Sequence, residues 1–325
     1  PAEINSAEAP LLLWLQGGPG VSGVYTVFDQ LGPYYIDQND QQLKKREIYW
    51  SKIYNIIYID NPIGTGFSFT ENDNGYSTTE RQIGENLYKA MKQFYQLFPQ
   101  FKKNDFYIVA QSYGGKFSVA LGYVINEMEK NFNENEKINL KGLAIGSGFI
   151  DPITVIERSD MLYQIGLIDT NFKEELESYI NQIKSLINQN NYTEALQRNG
   201  VMRNALFDAI GFENLFNFLQ AKFYYPFGDN DKFITSTRTR CKLHVGNISF
   251  NTSEKVFPSL SNEIMLSLKP WFEILLNKYR ILMFNGQLDL EISYRSIITL
   301  IRSSNWNGSD LYNKAKRENG MWTMN

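Results

Sequence analysis

A chain of 325 residues with 43% hydrophobic content can bury a large core, as one large α/β domain or as two ordinary ones. The formal net charge is −3, and no basic stripe is present to serve a nucleic acid partner. No apolar run reaches the length of a membrane span, and no Cys/His cluster has metal-ligand spacing, so neither a membrane span nor a metal or other cofactor is expected.

Residues 1–10 hold no basic, then apolar, then small-residue series, so no signal peptide is visible. The chain starts at Pro1 and enters an apolar run almost at once, and a fragment or processed product is expected. Leu11–Leu15 predicts a short buried strand that ends at the loop Gln16-Gly17-Gly18-Pro19-Gly20. Residues 53–60 predict a second strand. It ends at Asp60-Asn61-Pro62-Ile63-Gly64-Thr65-Gly66-Phe67-Ser68, whose Gly and Pro positions mark a shaped loop. Residues 80–98 carry Ile83, Leu87, Met91, Phe94 and Leu97 at helical spacing and stop before Pro99.

Residues 106–110 predict the next strand, followed by Gln111-Ser112-Tyr113-Gly114-Gly115 and a helix over 116–126. Residues 140–145 form another strand, closed by Gly146-Ser147-Gly148. Strands alternating with helices predict a parallel sheet with crossover helices. From 153 to 265 the pattern shifts to amphipathic helices with Asn-rich connections, and 281–284 restores a strand that ends at Asn285-Gly286. The simplest layout is one sheet domain, 1–152 and 266–325, interrupted by a helical insertion at 153–265.

Ser112 sits between a strand and a helix with small residues around it. A nucleophile elbow needs this, because the backbone turns sharply and the hydroxyl must project above the sheet. The usual spacing is G-x-S-x-G. Ala110 holds the first position here, and an ordinary strand-to-helix turn containing serine is the competing reading. The Gly-rich loop lets backbone N–H groups approach a substrate oxygen with no Cβ in the way, which makes the N–H groups of Gly18 and Tyr113 oxyanion-hole candidates. A tight βα turn explains the loop equally, and it lacks the Lys-Ser/Thr ending of a phosphate loop.

Asp289, just past a late strand, suits the orientation of an imidazole or a plain turn. The chain's one histidine, His244, precedes Asp289, whereas the α/β-hydrolase triad runs Ser, then Asp or Glu, then His. His244 therefore reads as structural. A single cysteine, Cys241, permits no internal disulfide and favours a reducing compartment; the sequons at Asn191, Asn247, Asn251 and Asn307 favour the secretory route.

These motifs, in one order along nearly the whole chain, resemble the serine carboxypeptidase family, most closely its vitellogenic-like branch. The segments that carry the resemblance run from Trp14-Leu15-Gln16-Gly17-Gly18-Pro19-Gly20 and Leu31-Gly32-Pro33-Tyr34, through residues 58–68 and the Ser112 pentad, to Ala144-Ile145-Gly146-Ser147-Gly148, His244-Val245-Gly246-Asn247 and Asn285-Gly286-Gln287-Leu288-Asp289. The resemblance implies an α/β-hydrolase fold with a helical insertion over the active site. It implies release of single amino acids from peptide or protein C-termini through an acyl-enzyme, with no cofactor. Ser112 is then the nucleophile, Asp289 the triad acid, and Gly18 and Tyr113 the oxyanion donors.

The family's histidine lies in a Gly-rich loop near its C-terminus that these 325 residues do not contain, and the family has strands upstream of Pro1. Truncation at both ends is expected, and the chain as given is expected to be inactive. The family reads the substrate carboxylate with an Asn in the Gly-rich loop, a Glu before the nucleophile and a Glu before the Gly-Pro pair; those positions are Gln16, Gln111 and Gln30 here. Its disulfide cysteines are also missing, with Val21 where many members have Cys. Membership implies a lysosomal, vacuolar or secreted location and is compatible with a homodimer. A non-catalytic homologue that binds peptide C-termini or acts as a scaffold is the alternative, and an acyltransferase on the same fold is a third reading.

Overall fold

The computed structural model describes residues 1–37, 42–211, 214–220, 222 and 230–320. Its strands, in chain order, are β1 (Leu11–Leu15), β2 (Tyr34–Ile36), β3 (Leu43–Lys45), β4 (Asn55–Tyr58), β5 (Thr65–Gly66), β6 (Phe106–Gln111), β7 (Leu140–Gly146), β8 (Asn251–Thr252) and β9 (Arg280–Phe284). Five of them form one sheet in the order β4-β1-β6-β7-β9, every pair parallel. Two short antiparallel pairs, β2–β3 and β5–β8, lie outside it.

The apolar runs explain the sheet. All five residues of β1 are buried, as expected of a strand covered on both faces. Leu11, Leu13 and Leu15 join Phe106, Ile108 and Ala110 on one face; Leu12, Trp14 and Val109 form the other with Trp50 and Tyr58. Helices Glu80–Leu97, Gly114–Met128 and Lys269–Leu276 supply Ile83, Leu87, Phe117, Leu121, Phe272 and Leu275 to the first face. The predicted helix over 80–98 starts where the Thr79 hydroxyl accepts a hydrogen bond from Gln82 N–H, and it stops ahead of Pro99.

Between β7 and β9 the chain is mainly helical, its longest members being Thr170–Asn188 and Tyr192–Ile210. Leu176, Ile180, Ile183, Met202 and Leu206 from this pair belong to the same apolar cluster as β1 and β6. The one strand among this segment's described residues, β8, pairs Thr252 with Thr65 and Asn251 with Gly66, which ties the segment to the shaped loop after β4. Among the sequons, Asn191, Asn247 and Asn307 are exposed, while Asn251 is partly buried and donates to the Gly66 carbonyl at 3.2 Å. No helix among the described residues is long and apolar enough to cross a membrane.

Candidate active site

In a parallel sheet the loops at the carboxyl ends of the strands share one edge, where such folds bind ligands. Here that edge carries Gln16–Gly20 after β1, Ser112–Gly115 after β6, Ser147–Phe149 after β7 and Asn285–Asp289 after β9.

Ser112 lies in the left-handed region, with φ +57. For a serine this costs on the order of 1 kcal/mol and persists only where surrounding contacts enforce it. Ser112 N–H donates to the Gly146 carbonyl at 3.0 Å, and the Ser112 carbonyl accepts from the N–H groups of Gly115 and Phe149, both at 2.9 Å. Glycine at 114 is a steric requirement, because a Cβ there would stand 2.3 Å from the Leu15 carbonyl oxygen. Position 110 faces the packed sheet, where Ala110 is fully buried, so its departure from G-x-S-x-G does not disturb the turn.

Tyr113 follows Ser112 directly, and Gly18 follows Gly17, where an added Cβ would stand 2.8 Å from Ser112 Cβ. The N–H groups of Gly18 and Tyr113 donate to no other group among the described residues. Gly18 is exposed at φ +119, a conformation that glycine adopts without a Cβ penalty. The loop that bears it is held on two sides. Asp60 accepts from Ser22 Oγ, from Gly23 N–H at 2.9 Å and from Phe67 N–H at 2.8 Å, so one carboxylate binds this loop's exit to the loop after β4. Gly20 packs so closely on Ser253 that an added Cβ would meet its side chain at 2.4 Å. In sequence Asp60 looked only like a loop residue, because its partners are 38 and 7 positions away.

Gln16 is buried, and its Oε1 accepts from Trp14 Nε1 at 3.0 Å and Thr26 Oγ1 at 2.9 Å. The acceptor end of the amide is thus engaged, which leaves Nε2 as a donor. Gln111 ends β6, and since Leu15 is in register with Ala110, Gln16 and Gln111 are neighbours at the strand ends. Gln30 caps the helix Gly23–Asp29 one turn after Thr26, its N–H donating to the Thr26 carbonyl at 3.1 Å. Gln16 and Gln111 therefore share one corner of the sheet edge, and Gln30 ends the helix whose Thr26 bonds Gln16.

Asp289 is buried beyond β9, two strands from the elbow. Its Oδ1 accepts from the N–H groups of Glu291 at 2.9 Å and Ile292 at 3.0 Å, and the nearby Ser147 side chain also favours the carboxylate. Burial outweighs these bonds and pushes the carboxyl up to about 6. Ser147, at φ +42, donates its N–H to the Phe284 carbonyl at 2.9 Å, while Phe149 two residues on bonds Ser112, so the turn after β7 links the Ser112 turn to the end of β9. Sequence reading missed Ser147; the signal was the Gly146-Ser147-Gly148 turn at a strand end.

The inserted segment braces the acid loop. The Leu215 carbonyl accepts from Leu290 N–H at 2.7 Å, buried Arg158 donates to the Leu290 carbonyl at 3.2 Å, and Arg203 pairs with Glu291. His244 stands elsewhere in the fold, exposed at φ +56, where it caps the helix Thr237–Leu243. Among the described residues no group of three or more His, Cys, Asp or Glu is arranged to hold a metal.

A serine held above a sheet, two backbone donors beside it and a buried carboxylate two strands away make an arrangement suited to acyl chemistry. Comparison with known proteins gives the family and the fold. Venom serine carboxypeptidase of Apis mellifera is 38% identical over 330 residues, covering 98% of this chain and 70% of that relative. Vitellogenic carboxypeptidase of Aedes aegypti is 38% identical over 336 residues, covering 98% and 69%. The solved structure of a prohormone-processing carboxypeptidase from Saccharomyces cerevisiae superposes with a TM-score of 0.80 at 23% identity, over 95% of this chain and 71% of that one, and shares the α/β-hydrolase fold. Residues 1–324 match the family described as serine carboxypeptidase as one continuous unit, and the chain therefore belongs to the serine carboxypeptidase family.

Proposed function

We propose that this site releases amino acids from peptide C-termini through an acyl-enzyme on Ser112. The observation that carries the reading is the left-handed Ser112, enforced by three backbone hydrogen bonds and by glycine at 114. Ser112 Oγ attacks the carbonyl carbon of the last peptide bond as its proton passes to a base. The oxyanion is received by the N–H groups of Gly18 and Tyr113. The C–N bond breaks, the departing amine takes the proton, and water then hydrolyses the ester. Asp289 orients and stabilises the base. Gln16, Gln111 and Gln30 donate amide hydrogens to the substrate's terminal carboxylate. Domain boundaries at 1–152, 153–265 and 266–325 fit this reading, with the helical segment over the site. Relatives that include a venom protein support secretory routing.

A second reading is a protein that binds peptide C-termini without turning them over. His244 is exposed at a helix end, so residues 1–325 supply nucleophile and acid without an imidazole beside them. Free imidazole tests both readings. Residues 1–325 alone should release amino acids from N-blocked dipeptides at no more than roughly 10³–10⁴ times the rate in water. Added imidazole should raise that release in proportion to its concentration, and Ser112→Ala should abolish the rise. Binding of the same peptides with no response to imidazole would overturn the hydrolase reading in favour of the second.

A further inference from the structure

Tyr113 supplies a backbone donor to the site, but its side chain points into a closed ring of buried groups. The Tyr113 hydroxyl donates to Glu80 Oε1 at 2.6 Å. Glu80 N–H, in the first turn of its helix, donates to Glu263 Oε2 at 3.0 Å. The carbonyl of that same Glu263 accepts from Lys116 Nζ, which also donates to the carbonyls of Ile264 at 2.9 Å and Leu266 at 2.6 Å. Lys116 N–H closes the ring on the Tyr113 carbonyl at 3.0 Å.

Glu80 and Lys116 are fully buried. An ammonium has three donors, and all three of Lys116's are spent on one turn of the chain. The cation also lies over the rings of Tyr113 at 5.4 Å and Phe149 at 5.7 Å, and these two rings stack at 5.9 Å. A buried lysine is costly unless its charge is compensated, so such an arrangement holds its partners firmly or not at all.

We propose that Glu80 and Lys116 are positioning residues for the Tyr113 N–H: they register residues 263–266, where the inserted segment returns to the core, against the elbow, and so set where that donor stands. The inference rests on the reading of Tyr113 as an oxyanion donor. Its consequence is that residues 263–266 and the oxyanion hole move as one unit.

Protonation supplies a handle on the ring. Burial pushes the Glu80 carboxyl from 4.5 up to about 7, against the pull of Lys116 and the Tyr113 hydrogen bond, and one of its oxygens has no hydrogen-bond partner. The closed ring thus favours the protonated acid. Its advantage is full below about 4.5 and is lost as pH rises through about 7. Lys116 is pushed down to about 8 by burial, against Glu80, Glu263 and Asp151, so its own titration falls above this window.

Backbone hydrogen exchange, read by mass spectrometry and corrected for intrinsic rates, tests the ring without substrate. Exchange over 113–116 and over 263–266 should rise together between pH 4.5 and 7, by roughly tenfold or more. Glu80→Gln, which keeps an acceptor for the Tyr113 hydroxyl, should flatten the rise in both segments. Lys116→Met should raise exchange in both at every pH while leaving helices Thr170–Asn188 and Tyr192–Ile210 unchanged. In the imidazole-supported assay Lys116→Met should lower kcat roughly tenfold or more with KM unchanged. Coincident pH profiles for wild type and Glu80→Gln, independent behaviour of the two segments, or an effect on KM alone would overturn the proposal. If Lys116→Met does not fold, the wild-type and Glu80→Gln profiles still decide. A negative exchange result leaves the Ser112 chemistry standing, and a failed imidazole rescue leaves the ring standing.

Discussion

Asp289 and Gln111 show how differently single polar residues behave at one sheet edge. Asp289 is buried, and its carboxyl is pushed up to about 6 from 3.8. The folded chain holds the proton more tightly than the unfolded chain, so the stabilisation is full below about 3.8 and is lost as pH rises through about 6. The loss amounts to about 3 kcal/mol at most. Urea unfolding of wild type and Asp289→Asn at pH 4 and pH 7 checks this, since Asn keeps an acceptor for Glu291 and Ile292 but cannot ionise. The difference between the two proteins should shift by that amount across the window, and a constant difference would refute it. Gln111 has no titration at all. An amide donates at any pH, whereas a glutamate donates only while protonated. The Kd for a peptide with a free C-terminus should therefore be flat with pH in wild type and should rise above mildly acidic pH in Gln111→Glu. Identical profiles would remove position 111 from the carboxylate clamp.

At the level of elements, the site depends on how closely the loop after β1 lies on the loop after β6. Gly17 sits at that contact. A Cβ there would stand 2.8 Å from both Ser112 Cβ and Tyr113 N, and 2.9 Å from the Gln111 carbonyl oxygen. Those neighbours are backbone or the Ser112 Cβ, so they cannot move aside without opening the turn at Ser112. Gly17→Ala should cost about 1–3 kcal/mol, seen as a lowered Tm, and should reduce imidazole-supported turnover along with it. Retention of both would mean that the two loops are further apart than the packing indicates. Thr79 illustrates the opposite case. A capping hydroxyl and a proline 20 residues later mark the two ends of the helix Glu80–Leu97, and that element was readable from local residues alone.

Across the whole molecule, one apolar cluster runs from Leu11 in β1 through Leu176 and Leu206 in the inserted helices to Leu300. Sheet and inserted helices share that interior, so thermal unfolding should be a single transition in which calorimetry and far-ultraviolet circular dichroism coincide. Two separated transitions would show that the helices fold independently. The sequence by itself determined the strand and helix pattern, the parallel sheet and the elbow at Ser112, because each is written in residues a few positions apart: apolar runs of strand length, a proline that stops a helix, small residues after a serine. It also marked Asp289 by its place after a late strand, while the three glutamines were named only through the family resemblance. Only the tertiary structure joined Asp60 to Ser22, Ser147 to Phe284, Arg158 to the Leu290 carbonyl, and Glu80 and Glu263 to Tyr113 and Lys116. Those contacts join positions that the fold brings together from far apart in the chain, and a hydrogen bond from a backbone N–H to a carboxylate 183 residues away leaves no periodicity for a sequence to display.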